Sequence, residues 1–186
     1  MSIVVVGGAA RGVGKTALVC GLISAMPERE WTAIKITSHV YRGALLSEEI
    51  ARDPATDTGR YLLAGAKQAL LAEAREDAEL AALARDAMPR GSNIVIESNR
   101  IASCLTPDLC LGVLARNAAQ EKPSFAALLE KADALVTRTG MEWPPRSRKP
   151  DVAFFAMDDF RQVSPAFAEW MRARLSPRAQ EETARF

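Results

Sequence analysis

The first twenty residues constrain this chain more than any other part of it. An apolar run, Ile3-Val4-Val5-Val6, leads into Gly7-Gly8-Ala9-Ala10-Arg11-Gly12-Val13-Gly14-Lys15-Thr16 and passes straight on to Ala17-Leu18-Val19. A short β-branched run reads as a buried strand, the glycines as a tight turn, and the residues after Thr16 as a helix start. Strand, glycine-rich turn and helix, ending on Gly-Lys-Thr, form the context that a phosphate-binding P-loop requires. Successive N–H groups of such a turn converge on one spot, and the first amides of the helix add the positive end of its dipole. The stretch Gly8, Ala9, Ala10, Arg11, Gly12, Val13, Gly14, Lys15, Thr16 and Ala17 is thus the expected cradle for a nucleotide's phosphates. Lys15 reaches the β- and γ-phosphates, and the Thr16 hydroxyl ligates the magnesium that bridges them. The position six before Lys15, a glycine in G-x-x-x-x-G-K-[ST], is Ala9 here. Either Ala9 takes a glycine-like conformation or the loop is one residue longer than the standard one.

The rest of the chain fits one domain built around that loop. Its 186 residues can bury one substantial core, and 48% of them are hydrophobic. With 24 basic and 23 acidic side chains the net charge is +1, so no broad attraction to nucleic acid or an anionic membrane is expected. Cys20, Cys104 and Cys110 lack C-x-x-C spacing and read as reduced, packed thiols. There is no leader-like segment before the first strand and no apolar run near the roughly eighteen residues of a membrane span, so a cytoplasmic location is expected.

Strands and helices alternate along the sequence. Strands are expected at Trp31–Thr37, Gln68–Ala72, Asn93–Glu97, Leu109–Leu114, Ala134–Thr137 and Val152–Ala156. Helices are expected at Ala17–Met26, Arg60–Ala66, Asp77–Met88, Ser124–Lys131 and Pro165–Leu175. The pattern fades between Val40 and Thr58, which reads as a mobile connection and a lid candidate. Trp143–Pro150 reads as a surface loop. The expected fold is α/β: a three-layer P-loop NTPase fold with a mostly parallel, doubly wound sheet over 1–176, followed by a fraying tail at 177–186. Ligands of such sheets bind at the carboxyl ends of the strands.

That edge collects the remaining candidates. Glu97 ends the apolar central strand, where P-loop proteins hold magnesium, usually through a coordinated water, so Thr16 and Glu97 form the expected metal site. Lys35 and His39 flank the end of the second strand and would orient a second substrate. His39, the chain's one histidine, is a candidate general acid or base beside Lys15 and Glu97. Arg100 is a candidate anion binder on the same face. Arg138 stands where P-loop GTPases place N-K-x-D; Thr137, Arg138 and Gly140 do not match it, so guanine specificity has no support, yet the guanidinium could stack on a purine.

The order strand, Gly-Lys-Thr loop, second strand ending in Lys35 to His39, and then Asp57-Thr58-Gly59-Arg60-Tyr61-Leu62-Leu63-Ala64-Gly65-Ala66 resembles the MobB family of molybdopterin-guanine dinucleotide biosynthesis adaptors. The similarity covers roughly the first hundred residues. It implies a P-loop α/β domain, often a homodimer, that binds GTP and assists nucleotide attachment to the molybdenum cofactor alongside a cofactor-biosynthesis enzyme. By motif position Lys15, Thr16, Lys35, His39, Asp57, Arg60, Gly65 and Glu97 correspond to its nucleotide-site or ligand-face residues. Ile36 and Thr37 replace the family's usual His and Asp, and Ser98 its glycine, which marks a divergent member. From the residues alone, Asp57 or Thr58 would cap a helix whose small residues Ala64, Gly65 and Ala66 pack closely on the sheet.

The sequence therefore predicts a GTP- or ATP-binding protein with Mg2+, slow in hydrolysis if it hydrolyses at all. A small-molecule kinase or ATP-dependent ligase resembling dethiobiotin synthetase, with Lys35, His39 and Arg100 positioning a carboxylate or hydroxyl acceptor opposite the γ-phosphate, is the alternative; Arg60 is a further substrate-side candidate. A non-catalytic P-loop interaction module is the third reading.

Overall fold

A computed structural model describes residues 1–39, 43–89, 91–115, 122–141 and 151–175. Eight strands form one sheet: β1 (Ile3–Gly8), β2 (Thr32–Thr37), β3 (Leu46–Glu49), β4 (Gln68–Glu73), β5 (Ile94–Glu97), β6 (Leu109–Val113), β7 (Ala134–Thr137) and β8 (Ala153–Ala156). They lie in the order β3-β4-β2-β5-β1-β6-β7-β8, and every neighbouring pair is parallel except β3 with β4. The helices are α1 (Lys15–Ala25), α2 (Asp57–Leu63), α3 (Asp77–Ala82), α4 (Pro123–Leu129) and α5 (Pro165–Leu175).

The side-chain alternation of the central strands explains the three layers. Val4, Val6 and Val95 point to one face, where α1 (Leu18, Leu22), α2 (Tyr61) and α5 (Phe167, Met171) cover them. Val5, Ile94 and Ile96 point to the other, against Leu80 and Leu83 of the α3 region and Phe125 and Leu128 of α4. A strand buried on both sides carries apolar residues without interruption, which is why β1 and β5 read as continuous runs in the sequence.

Three expectations change. Part of the presumed mobile connection, Leu46–Glu49, is an antiparallel edge strand on β4. Its Leu-Ser-Glu-Glu composition carries no strand propensity, and backbone pairing with β4 overrides it. The helix expected from Arg60 starts earlier, at Asp57, because Thr56 rather than Asp57 or Thr58 is the cap: its hydroxyl accepts from the Gly59 amide at 3.0 Å. The helix expected over Asp77–Met88 turns from α to a wider π turn at Leu83–Ala87. Residues 40–42 of the lid candidate, the Trp143–Pro150 loop and the 177–186 tail lie outside the described residues.

Strand order and register set the functional edge. β1 lies between β5 and β6, so the loop leaving β1 emerges beside the end of β5. Lys35 on β2 and Val6 on β1 are both register partners of Glu97. A cation and an acid from neighbouring strands are thereby held side by side at the mouth of the phosphate loop.

Candidate functional site

The loop resolves its missing glycine without strain. The buried Ala9 extends β1, its amide donating to Val113 O at 2.8 Å and its carbonyl accepting from the Lys122 amide at 2.7 Å. Among the described residues Glu30 is the one non-glycine with positive φ, so Ala9 does not take the left-handed conformation. Those conformations fall at Gly12 (φ 76°) and Gly14 (φ 107°), where a side chain would be strained. Gly14 caps α1 with no side-chain hydrogen bond, and its carbonyl receives the Leu18 amide at 2.9 Å. The first amides of α1 have no intrahelical acceptor and remain for a ligand.

Asn99 ties this loop to the end of β5. Its Oδ1 accepts from the Gly8 amide at 2.7 Å, while its Nδ2 donates to Gly8 O at 3.1 Å and to Ser124 Oγ at 3.2 Å. Lys15 folds back on the loop, its Nζ donating to Ala10 O at 3.3 Å. Burial pulls its pKa below the ordinary lysine value; the Glu97 charge opposes that, while the Lys35 and Lys122 charges add to it.

Glu97 is the centre of the site and is almost fully buried. Its Oε2 accepts the Thr16 hydroxyl at 2.7 Å and the phenol of the buried Tyr61 at 2.5 Å, and its Oε1 accepts the Lys35 ammonium. Lys35 also bridges to Asp57 Oδ2 at 3.0 Å, and Asp57 in turn pairs with Arg60 on the same face of α2. Burial alone would lower the Lys35 pKa, but the two carboxylates outweigh it and hold it above the ordinary value. For Asp57 burial pushes up, and Lys35, then Arg60, outweigh it and hold it below the ordinary carboxylate range. Tyr61 is driven well above the ordinary phenol value, first by burial and then by the Glu97 charge, so it remains a donor.

One cleft of about 690 Å³ gathers most of the expected residues: Arg11, Gly12, Gly14, Lys15, Thr16, Ala17, Lys35, His39, Asp57, Arg60 and Glu97 all line it, together with Lys122. Gly8, Ala9, Ala10 and Val13 are not among the residues that line it. Arg100 lines a separate, smaller hollow, its guanidinium bound to Ala74 O at 3.2 Å and Asp77 Oδ1 at 2.7 Å. Arg138 lies apart from both, 5.0 Å above the Phe160 ring and hydrogen-bonded to Asp158 O. Tyr61 and Lys122 were not foreseen. Tyr61 follows Asp57 by four residues, so helical spacing alone puts the two on one face. Lys122 carries no signal of its own, since only the β6–α4 connection brings it to the cleft.

The donor set fits a hard divalent cation: one hydroxyl and two carboxylates, Thr16, Glu97 and Asp57, converge where a lysine ammonium already supplies positive charge. Comparison with solved structures identifies the architecture. LpxK from Aquifex aeolicus, an "apo" form in complex with ATP, superposes with a TM-score of 0.52 at 18% identity, over 83% of this chain and 53% of that one. The chain has a P-loop NTPase fold. It spans about half the length of that relative in structure. No family model matches the sequence, and no curated protein matches it. Among the described residues no helix is long and apolar enough to cross a membrane.

Proposed function

We propose that this protein binds a purine nucleoside triphosphate with Mg2+ at the β1–α1 loop, as a divergent MobB-like P-loop protein. The observation that carries the reading is the placement of Lys15, Thr16 and Glu97 around one cleft, below a loop whose left-handed turns fall at glycines. Lys15 has one carbonyl to satisfy three donor hydrogens, so phosphate oxygens are its better partners. Arg11, exposed on the rim, can fold over them. Thr16, Glu97 and Asp57 would hold magnesium, which when bound neutralises charge on the β- and γ-phosphates.

Glu97 accepts three donors, which suits it to holding a metal-bound water better than to removing a proton. Slow turnover and an adaptor role in attaching a nucleotide to the molybdenum cofactor agree with that, and the Asp57–Ala66 segment supports the same assignment. A second reading, transfer to a small-molecule acceptor, is favoured by the cleft's extent beyond the loop to Lys35 and His39. Calorimetric titration with ATP and GTP, each with Mg2+, tests the shared core: one site per chain is expected. Diphosphate release that depends on an added acceptor supports the second reading; tight binding with negligible turnover supports the adaptor; no binding of either nucleotide sinks both.

A further inference from the structure

A second hollow of about 160 Å³ adjoins the phosphate cleft and shares Ile36, Thr37, Ser38 and Lys122 with it. Three hydroxyls of its polar wall accept hydrogen bonds from the protein and keep their own protons. Ser98 Oγ accepts the amides of Arg100 at 3.2 Å and Ile101 at 3.3 Å, Ser124 Oγ accepts from Asn99, and Thr37 Oγ1 accepts the His39 amide at 3.1 Å. Among the described residues, none of these three hydroxyl protons has an acceptor, and the Lys122 ammonium has no hydrogen-bond or ion-pair partner. No carboxylate lines the hollow; Arg100 also lines it, with its guanidinium engaged by Ala74 O and Asp77 Oδ1. Asn99 contributes no free group, since both ends of its amide are engaged.

From this one-sided set of unused donors we infer that the hollow is a binding site for the oxyanion of a second small molecule, a carboxylate or a phosphate. The volume corresponds to about five waters, enough for such a group and two or three carbons. Ile36, Ala74 and Leu80 supply the apolar wall for those carbons. Because the two hollows share Lys122 and Thr37, a molecule anchored here extends its far end toward the triphosphate site. The inference rests on the nucleotide reading only for what lies at that far end; the anion site stands on its own donors.

The test is a calorimetric titration with inorganic phosphate and, separately, with malonate, while a non-hydrolysable triphosphate with Mg2+ saturates the loop. One saturable oxyanion site is expected, and the stronger of the two probes identifies the group. Lys122→Met and Thr37→Val should each weaken it roughly tenfold, the loss of one hydrogen bond to a charged group. Lys122 has no structural partner to lose, so its replacement keeps the test valid if Thr37→Val folds poorly. The same titration of Lys15→Ala without nucleotide, with and without an added Ser124→Ala, separates the two claims. Binding that Lys15→Ala keeps and Ser124→Ala weakens lies in this hollow, which Ser124 lines, and not in the open phosphate loop, which it does not, and supports this site even where the nucleotide reading fails. No saturable binding of either probe, or binding untouched by both variants, overturns the inference.

Discussion

The phosphate loop and the β2–β5–α2 cluster sit in one cleft and hold one lysine each, in opposite electrostatic states. Lys15 is half-buried with a single carbonyl for company, and its pKa is lowered. Lys35, comparably placed, lies between two carboxylates, and its pKa is raised. The loop is built for a charge it lacks, whereas the cluster is built for a charge it already contains. A receptor for an anionic tail with its own cation needs both halves, and the resident ammonium keeps the acidic half stable until a ligand arrives.

The sharpest way to break this contrast is Lys15→Ala. It removes a charge that burial disfavours, so stability without ligand should hold or rise slightly. Affinity for a Mg2+-triphosphate should fall by about a hundredfold or more, the loss of two charge-assisted hydrogen bonds. Calorimetry and urea denaturation measure the two effects. An affinity within about threefold of the parent would place the phosphates elsewhere.

Lys35→Met should do the reverse. With the ammonium gone, the buried Glu97 and the half-buried Asp57 face each other without compensation, and urea denaturation should show a loss of about 2 to 4 kcal/mol. That figure is set about 1 kcal/mol below the range for fully buried pairs because Lys35 keeps some solvent contact. Mg2+ alone should restore part of the loss in the variant and do little for the parent. Unchanged stability would mean that the two carboxylates do not depend on a cation.

How much of this was legible in the sequence follows the distance over which each feature is determined. The phosphate loop is local: Gly12, Gly14, Lys15 and Thr16 are contiguous, and their backbone conformation follows from residue type. Glu97 was legible because a buried apolar run ending in an acid identifies itself. Lys35 was placed at the site, but its pairing with Glu97 depends on β2 lying beside β5, a fact of strand order that no local pattern encodes. Tyr61 and Lys122 fall in the same class, since Tyr61 reads as a core aromatic until Glu97 is seen beneath it. The edge strand at Leu46–Glu49 was hidden for another reason: an edge strand is fixed by its partner's backbone, so its side chains need no alternation.

The smallest expected effect is in the pH dependence of stability, and it carries the contrast in its sign. Lys35 is above 10.5 in the folded state, so its contribution is complete below that value and is lost as pH rises through the higher, folded pKa. Lys15 is below 10.5 when folded, so its protonated form penalises folding, and the penalty is relieved as pH rises from the folded pKa towards 10.5. Asp57 works at the other end: its folded pKa is below 3.8, so its contribution is present above 3.8 and is lost as pH falls through the lower, folded pKa. Lys15→Ala should therefore alter the alkaline limb of the denaturation profile, and Lys35→Met both limbs. Subtracting the Lys15→Ala profile from the parent's should leave a rise just below 10.5. Subtracting that of Lys35→Met should leave a fall above it, along with a weakened acid limb, because Asp57 then has only Arg60 to hold its charge. Two difference curves of the same sign in the alkaline range would mean that the two lysines share one environment, and the division of the cleft into an anion-seeking and a cation-holding half would be wrong.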